Sequence, residues 1–151
     1  MTDIDRSGPE DEAVTAWARL IRASQHLLEK VEADLKAAGL PPLIWYDALL
    51  ELRRAGRAGL RPVDLQHRML LAQYNVSRLV DRLEAAGYLQ RERLKSDGRA
   101  QVLFITTDGR KLLKAMWPVY RSAIDQHFTA PLSGKKIRQI SKIMTAFLPA
   151  G

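Results

Sequence analysis

The chain has 151 residues with 24 Lys and Arg against 17 Asp and Glu, a formal net charge of +7; this length suits one domain with a sizeable core, and the charge suits a polyanionic partner. It contains no cysteine, which excludes disulfides, thiolate metal centres and thiol redox sensing. No secretory leader opens it and no apolar run is long enough to span a bilayer, so a cytoplasmic protein is expected.

The charge is unevenly spread. Arg53 to Gln101 holds eleven Lys and Arg against five Asp and Glu, while the first sixteen residues set Asp3, Asp5, Glu10, Asp11 and Glu12 against Arg6 alone. Met1 to about Asp11 is polar and acidic with Gly8-Pro9, and is expected to be a frayed tail. Glu12 to Ala38 reads as one long helix. Ala13, Trp17, Leu20, Ile21, Ser24, Leu27, Leu28, Val31 and Leu35 form its nearly continuous apolar stripe. Such a helix spans about 40 Å. That exceeds what one small core covers, so part of the stripe is expected to face a second chain; the alternative is a long core helix. Gly39 closes it and Pro41-Pro42 enforce the break. Leu43 to Arg54 makes the next helix, with Leu43, Tyr46, Leu49 and Leu50 inward, and Ala55 to Gly59 a loop.

The stretch from Arg61 to Thr106 organises the rest. A helix begins near Pro62, where a missing N–H costs nothing. Its apolar positions include Leu65, Met69 and Leu70, and a break follows at Ala72-Gln73. The next helix carries Val76, Leu79, Val80 and Leu83 at i, i+3, i+4, i+7, which makes one face apolar. Gly87 ends it in the left-handed C′ conformation. Tyr88 to Arg93 reads as a strand, Lys95 to Arg99 as a charged turn, and Val102 to Ile105 as the returning strand. Thr106 or Thr107 caps a helix from Asp108-Gly109 that carries Leu112, Leu113, Met116, Tyr120, Ile124 and Phe128. Pro118 sits inside it and is expected to kink it. Pro131 ends that segment. Ser133 caps a last helix with Ile137, Ile140, Met144, Phe147 and Leu148 on one face, although Lys135 and Lys136 in its first turn oppose the helix dipole.

This order predicts a mainly α fold with a small β-hairpin wing. A winged helix-turn-helix lobe over residues 43–106 is flanked by helices over 12–38 and 108–148 that pair across a two-fold axis, all within a single domain, 1–151. The second helix of the motif has one face for the core and one polar face for a major groove. Its candidate DNA-binding residues are Gln73, Tyr74, Asn75, Ser77, Arg78 and Arg82. Lys95, Ser96 and Arg99 at the hairpin tip can reach phosphates or a minor groove, with Asp97 and Gly98 shaping the turn. The plainer alternatives are an Arg78–Asp81 pair at i, i+3, a carboxylate partner for Arg82, and an Asp97–Arg99 turn pair. Trp17, Tyr46 and Asp47, with Trp45, are candidates for a ligand crevice or for plain core. Asp47 lies in an apolar stretch and needs a partner to be buried, such as an arginine or a ligand. Asp64 and His67 share a helix face, but two ligands do not make a metal site. His26 and His127 add nothing. No nucleophile-plus-base constellation, phosphate loop or paired-carboxylate motif appears, so neither an enzyme nor a cofactor is expected. A winged-helix module for protein partners is the competing reading. It calls for an apolar or acidic second helix, whereas this one offers Asn75, Ser77, Arg78 and Arg82.

From about Ala16 to Phe147 the sequence resembles the MarR family of transcription regulators. The resemblance is carried by Trp17 with Arg22-Ala23, by Tyr46 to Leu50, by Val76 to Glu84, by Gly87-Tyr88-Leu89, by Asp97-Gly98-Arg99, and by Ile105-Thr106 with Gly109-Arg110. It departs at Ala72 and Tyr74, where a small hydroxyl residue is common, and at Gly98, which replaces the first of two wing arginines. The resemblance implies a ligand-responsive repressor that binds a pseudo-palindromic operator as an obligate homodimer. It also implies a small aromatic, often anionic, effector bound between the dimer helices and the winged lobe. The effector would change the spacing of two recognition helices that must sit about 34 Å apart.

Overall fold

The computed structural model describes residues 9–71, 75–93 and 100–150. The chain divides into two compact units. One spans Asp34 to Ser122; the other is made of the outer parts, up to Ala33 and from Ala123 onward. Among the described residues no helix is long and apolar enough to cross a membrane.

Helix α1 runs Pro9–Ala37. It starts inside the stretch read as a frayed tail. Proline fits a first helical turn, and Asp11 and Glu12 favour the positive end of the helix dipole. Its other end closes on Gly39 as expected, with the Leu40 amide donating to Leu35 O at 2.9 Å.

In the central unit α2 (Leu43–Ala55) is followed by a single 3-10 turn, Gly56–Ala58, and by α3 (Pro62–Arg68), which has proline in its first turn. Helix α4 (Val76–Ala85) buries Val76, Leu79, Val80 and Leu83, the four positions that the period predicts. Gly87 at φ 84° ends it. The Tyr88 amide returns to Leu83 O and the Gly87 amide to Glu84 O, both at 2.9 Å, which satisfies two terminal carbonyls. Strands β1 (Leu89–Arg93) and β2 (Gln101–Ile105) pair antiparallel, from Leu89 opposite Ile105 to Arg93 opposite Gln101. Leu60 bridges Leu103 on the other side of β2. Helix α5 (Thr107–Ile124) continues through Pro118, and the wider π turn Asp125–Thr129 follows it. The core of this unit is almost entirely leucine: Leu35, Leu43, Leu49, Leu52, Leu65, Leu83, Leu89, Leu103 and Leu113 are fully buried, with Met116 and Val80. Leu50, read as inward, is only half-buried.

The end of α3 also differs from the sequence reading. The apolar positions Met69 and Leu70 suggest that α3 continues to about Leu71. Instead the helix stops at Arg68, Met69 turns extended with ψ 141°, and Leu70 stands exposed. The cause is long-range. The Asp47 carboxylate takes the next two backbone amides, Leu70 N–H at 2.9 Å and Leu71 N–H at 2.6 Å. In a continued helix these would bond back to α3 carbonyls.

The outer unit contains α1 up to Ala33 and α6 (Gly134–Thr145). Ser133 caps α6 as expected, accepting from the Lys136 amide at 3.3 Å. Phe147 and Leu148 of the predicted stripe lie past the helix end and are exposed, and α6 has no buried residue at all. On α1 the stripe is exposed at Trp17, Leu20, Ile21 and Leu28, with Trp17 two-thirds exposed, and becomes buried only at Val31 and Leu35.

Candidate nucleic-acid interface

The site is built outward from α4. Asn75, expected at DNA, has a local task first: its side-chain oxygen accepts the Arg78 amide at 2.9 Å and caps the helix. The cap that Ala72 and Tyr74 do not offer is thus supplied one residue later, a contact type that contributes about 1 kcal/mol. Ser77, Arg78, Asp81, Arg82 and Glu84 are exposed, opposite the buried face.

The position of α4 on the hairpin is fixed by a residue that the sequence reading did not single out. Arg91 on β1 donates to Asp81 Oδ1 at 2.5 Å, to Glu84 Oε2 at 3.1 Å and to Gln101 Oε1 on β2 at 3.2 Å. The Asp81 hydrogen bond, with smaller contributions from Glu84, raises the Arg91 pKa, and partial burial opposes this. Strand alternation was the available signal, because Arg91 shares a face with buried Leu89. The arrangement also decides two alternatives. Asp81 does not pair with Arg78, and Arg82 has not found a carboxylate; among the described residues neither guanidinium is in an ion pair. Both instead line a cleft of about 290 Å³ beside the start of α2, with Pro42, Ile44, Trp45, Asn75 and Leu79. Trp45 sits edge-on to Tyr88 at 5.9 Å. Gln73, Tyr74, Lys95, Ser96, Asp97, Gly98 and Arg99 lie outside the described residues.

A second cleft in the same unit, about 440 Å³, is lined by Tyr46, Asp47, Glu51, Arg54, Arg68, Tyr120 and the stretch Met69 to Leu71. Tyr46 and Asp47, paired in the sequence reading, do line one site. Trp17 belongs to the outer unit. Asp47 is not held by an arginine, as anticipated, but by the two backbone amides. Arg54 pairs instead with Glu51 at 2.7 Å. Tyr46 and Trp117 stack and Tyr120 meets both rings edge-on, with ring centres 5.2 to 6.2 Å apart. Tyr120 lies on the apolar stripe that the helical period gives, whereas Trp117 was not singled out by the sequence reading. Among the described residues no group of three His, Cys, Asp or Glu side chains is placed to hold a metal ion.

Burial raises the pKa of the Tyr46 hydroxyl, against the pull of Arg53 and Arg54. Tyr120 is raised by burial first, then by Asp47 and Tyr46. A raised folded-state pKa means that the unfolded chain loses these protons first. The stabilisation is therefore complete below about pH 10 and is lost as pH rises through the folded values. Denaturant melts at pH 8 and 10.5 should show an alkaline loss that is smaller in Tyr46→Phe/Tyr120→Phe than in the natural chain. An equal loss in both would remove the two phenols as its source.

Residues 38–100 match the family model described as MarR family. The chain is 27% identical over 122 residues to the transcriptional repressor MprA of Escherichia coli, covering 81% of this chain and 68% of that one. Among solved structures, a MarR family transcriptional regulator from Streptomyces coelicolor, crystallised in complex with DNA, superposes with a TM-score of 0.80. It is 25% identical and covers 97% of this chain and 91% of its own. The chain is similar to MarR family regulators in sequence over residues 38–100 and in fold over nearly its whole length. Its winged helix-turn-helix fold is that of these transcriptional regulators. The chain is also similar in fold to Bordetella bronchiseptica BpsR, with a TM-score of 0.77 and 20% identity over 88% of this chain and 98% of that one. That structure concerns the regulation of BpsR DNA binding by 6-hydroxynicotinic acid.

Proposed function

We propose that this protein is a homodimeric, ligand-responsive repressor that binds a pseudo-palindromic operator in the cytoplasm and has no catalytic activity of its own. The observation that carries the reading is α4: its apolar face is fully used, Arg91 locks it to the hairpin, and Ser77, Arg78 and Arg82 are left exposed. In this reading Arg78 reads a base edge or clamps a phosphate. Arg82, Ser77, Asn75, Gln73 and Tyr74 line the same groove contact. Lys95, Ser96 and Arg99 reach the backbone or minor groove from the wing, which Asp97 and Gly98 shape. A small aromatic effector fits the cleft of Tyr46, Asp47 and Tyr120, with Arg68 at its rim for an anionic group; BpsR offers the parallel of a small aromatic acid.

The test is a titration of operator and random duplexes against salt. Arg78→Ala should weaken operator binding by about 1–3 kcal/mol and relax base preference at one position per half-site. Dimerisation should be unchanged. A natural chain that shifts no duplex at low salt would favour the protein-partner module instead.

A further inference from the structure

We propose that Asp47 is the positioning residue for the DNA-reading helix, acting from α2 by ending α3 early. This rests on the DNA-binding role of α4 proposed above. The two oxygens of one carboxylate accept two consecutive backbone amides, Leu70 N–H and Leu71 N–H, 23 and 24 residues further along the chain. Asp47 is buried. A charged acceptor in such a place gives short, strong hydrogen bonds, and its removal leaves two donors to find other partners.

Those donors have an alternative. Met69, Leu70 and Leu71 are good helix formers. The Met69 amide already bonds to Leu65 O at 3.1 Å; without the carboxylate the Leu70 and Leu71 amides can bond back to Gln66 and His67, and α3 grows by up to a turn. Each added residue rotates the chain by about 100° and advances it about 1.5 Å. The exit from α3 would then point elsewhere, and α4 starts only at Val76. In a helix-turn-helix the connection between the two helices sets how the second enters the groove. The tie costs exposure of Leu70, which is 77% accessible.

Charge offers a clean discrimination. Removing a carboxylate from a protein that binds a polyanion should tighten DNA binding on electrostatic grounds. Loss of position predicts the reverse for the operator only. The experiment uses the full-length homodimer as Asp47→Asn, whose single oxygen can serve one amide while its NH2 opposes the other. Affinity is measured on the operator footprinted with the natural chain and on a random duplex, with melting and sedimentation alongside and amide exchange at Leu70 and Leu71. The expected result is a folded dimer with at least tenfold weaker operator binding, random-duplex binding unchanged or tighter, and at least tenfold faster exchange at Leu71. Retained operator affinity, a parallel loss on both duplexes, or a variant that does not fold overturns the proposal. If the natural chain itself binds neither duplex, the DNA-binding reading fails; if it binds and Asp47→Asn matches it, only this inference does.

Discussion

Replacing Leu28 and Phe147 together by glutamate is expected to abolish both the dimer and specific DNA binding. The outer unit leaves its largest apolar side chains uncovered: Trp17 66%, Ile143 56%, Phe147 72% and Leu148 66% exposed, with Leu28 at 40%. Helix α6 buries nothing in a single chain, and Ile137, Ile140 and Met144 are only half-buried. An amphipathic helix gains most of its stability from what its apolar face packs against, so α6 needs a partner surface. In the proposed homodimer a second copy supplies it. Burying one Leu or Phe side chain contributes about 1.5–3 kcal/mol, and a two-fold interface carries each change twice. Four carboxylates in such an interface would be desolvated without partners, which disfavours association strongly. Sedimentation should show a monomer at micromolar concentration. Operator binding should fall to the level of a random duplex, since one recognition helix reads one half-site. A folded, stable natural monomer at that concentration would end the argument.

The parts of the fold that local pattern governs were legible in the sequence. The i, i+3, i+4, i+7 series named the four residues that α4 buries, Pro62 marked the start of α3, Gly87 the end of α4, and Ser133 the start of α6. What escaped was decided by partners distant in the chain. Asp47 ends α3 from 23 residues away, and no periodicity in Leu65 to Leu71 could reveal that. Arg91 takes the carboxylates of α4 from the next strand, so pairings judged within α4 alone, Arg78 with Asp81 or Arg82 with a neighbour, were judged without their strongest competitor. The candidate site followed the same division. Arg78 and Ser77 were placed on the exposed face by the helical period. The working partner of Asp47, a pair of backbone amides, has no side-chain signature to read.

Gly109→Ala should destabilise the protein by about 3 kcal/mol, although helix propensity alone argues for the opposite sign. Gly109 is the third residue of α5, its φ is not positive, and in an isolated helix alanine would be better by about 1 kcal/mol. The obstacle is what a methyl group would meet. A Cβ there would overlap the Tyr88 carbonyl oxygen and come within 2.8 Å of Ile105 Cγ1. A flexible side chain could yield, but this carbonyl is held. The Tyr88 amide donates to Leu83 O at 2.9 Å, and its carbonyl accepts the Thr106 amide at 3.1 Å. Thr106 closes the joint: its hydroxyl donates to Gly87 O at 2.7 Å and accepts the Gly109 amide at 3.0 Å. The end of α4, the edge of β1 and the start of α5 therefore meet around one glycine, and alanine must push them apart or lose the cap. A loss of this size corresponds to roughly 6–12 °C in Tm for a chain of this length. Paired thermal and urea melts of Gly109→Ala and Gly134→Ala decide the matter. At Gly134 the nearest side-chain atom would be 3.5 Å from the new Cβ, so the second change should be close to neutral. If Gly109→Ala proved as stable as the natural chain, the start of α5 would be free to shift on the hairpin base, and the joint described here would not hold α4 in place.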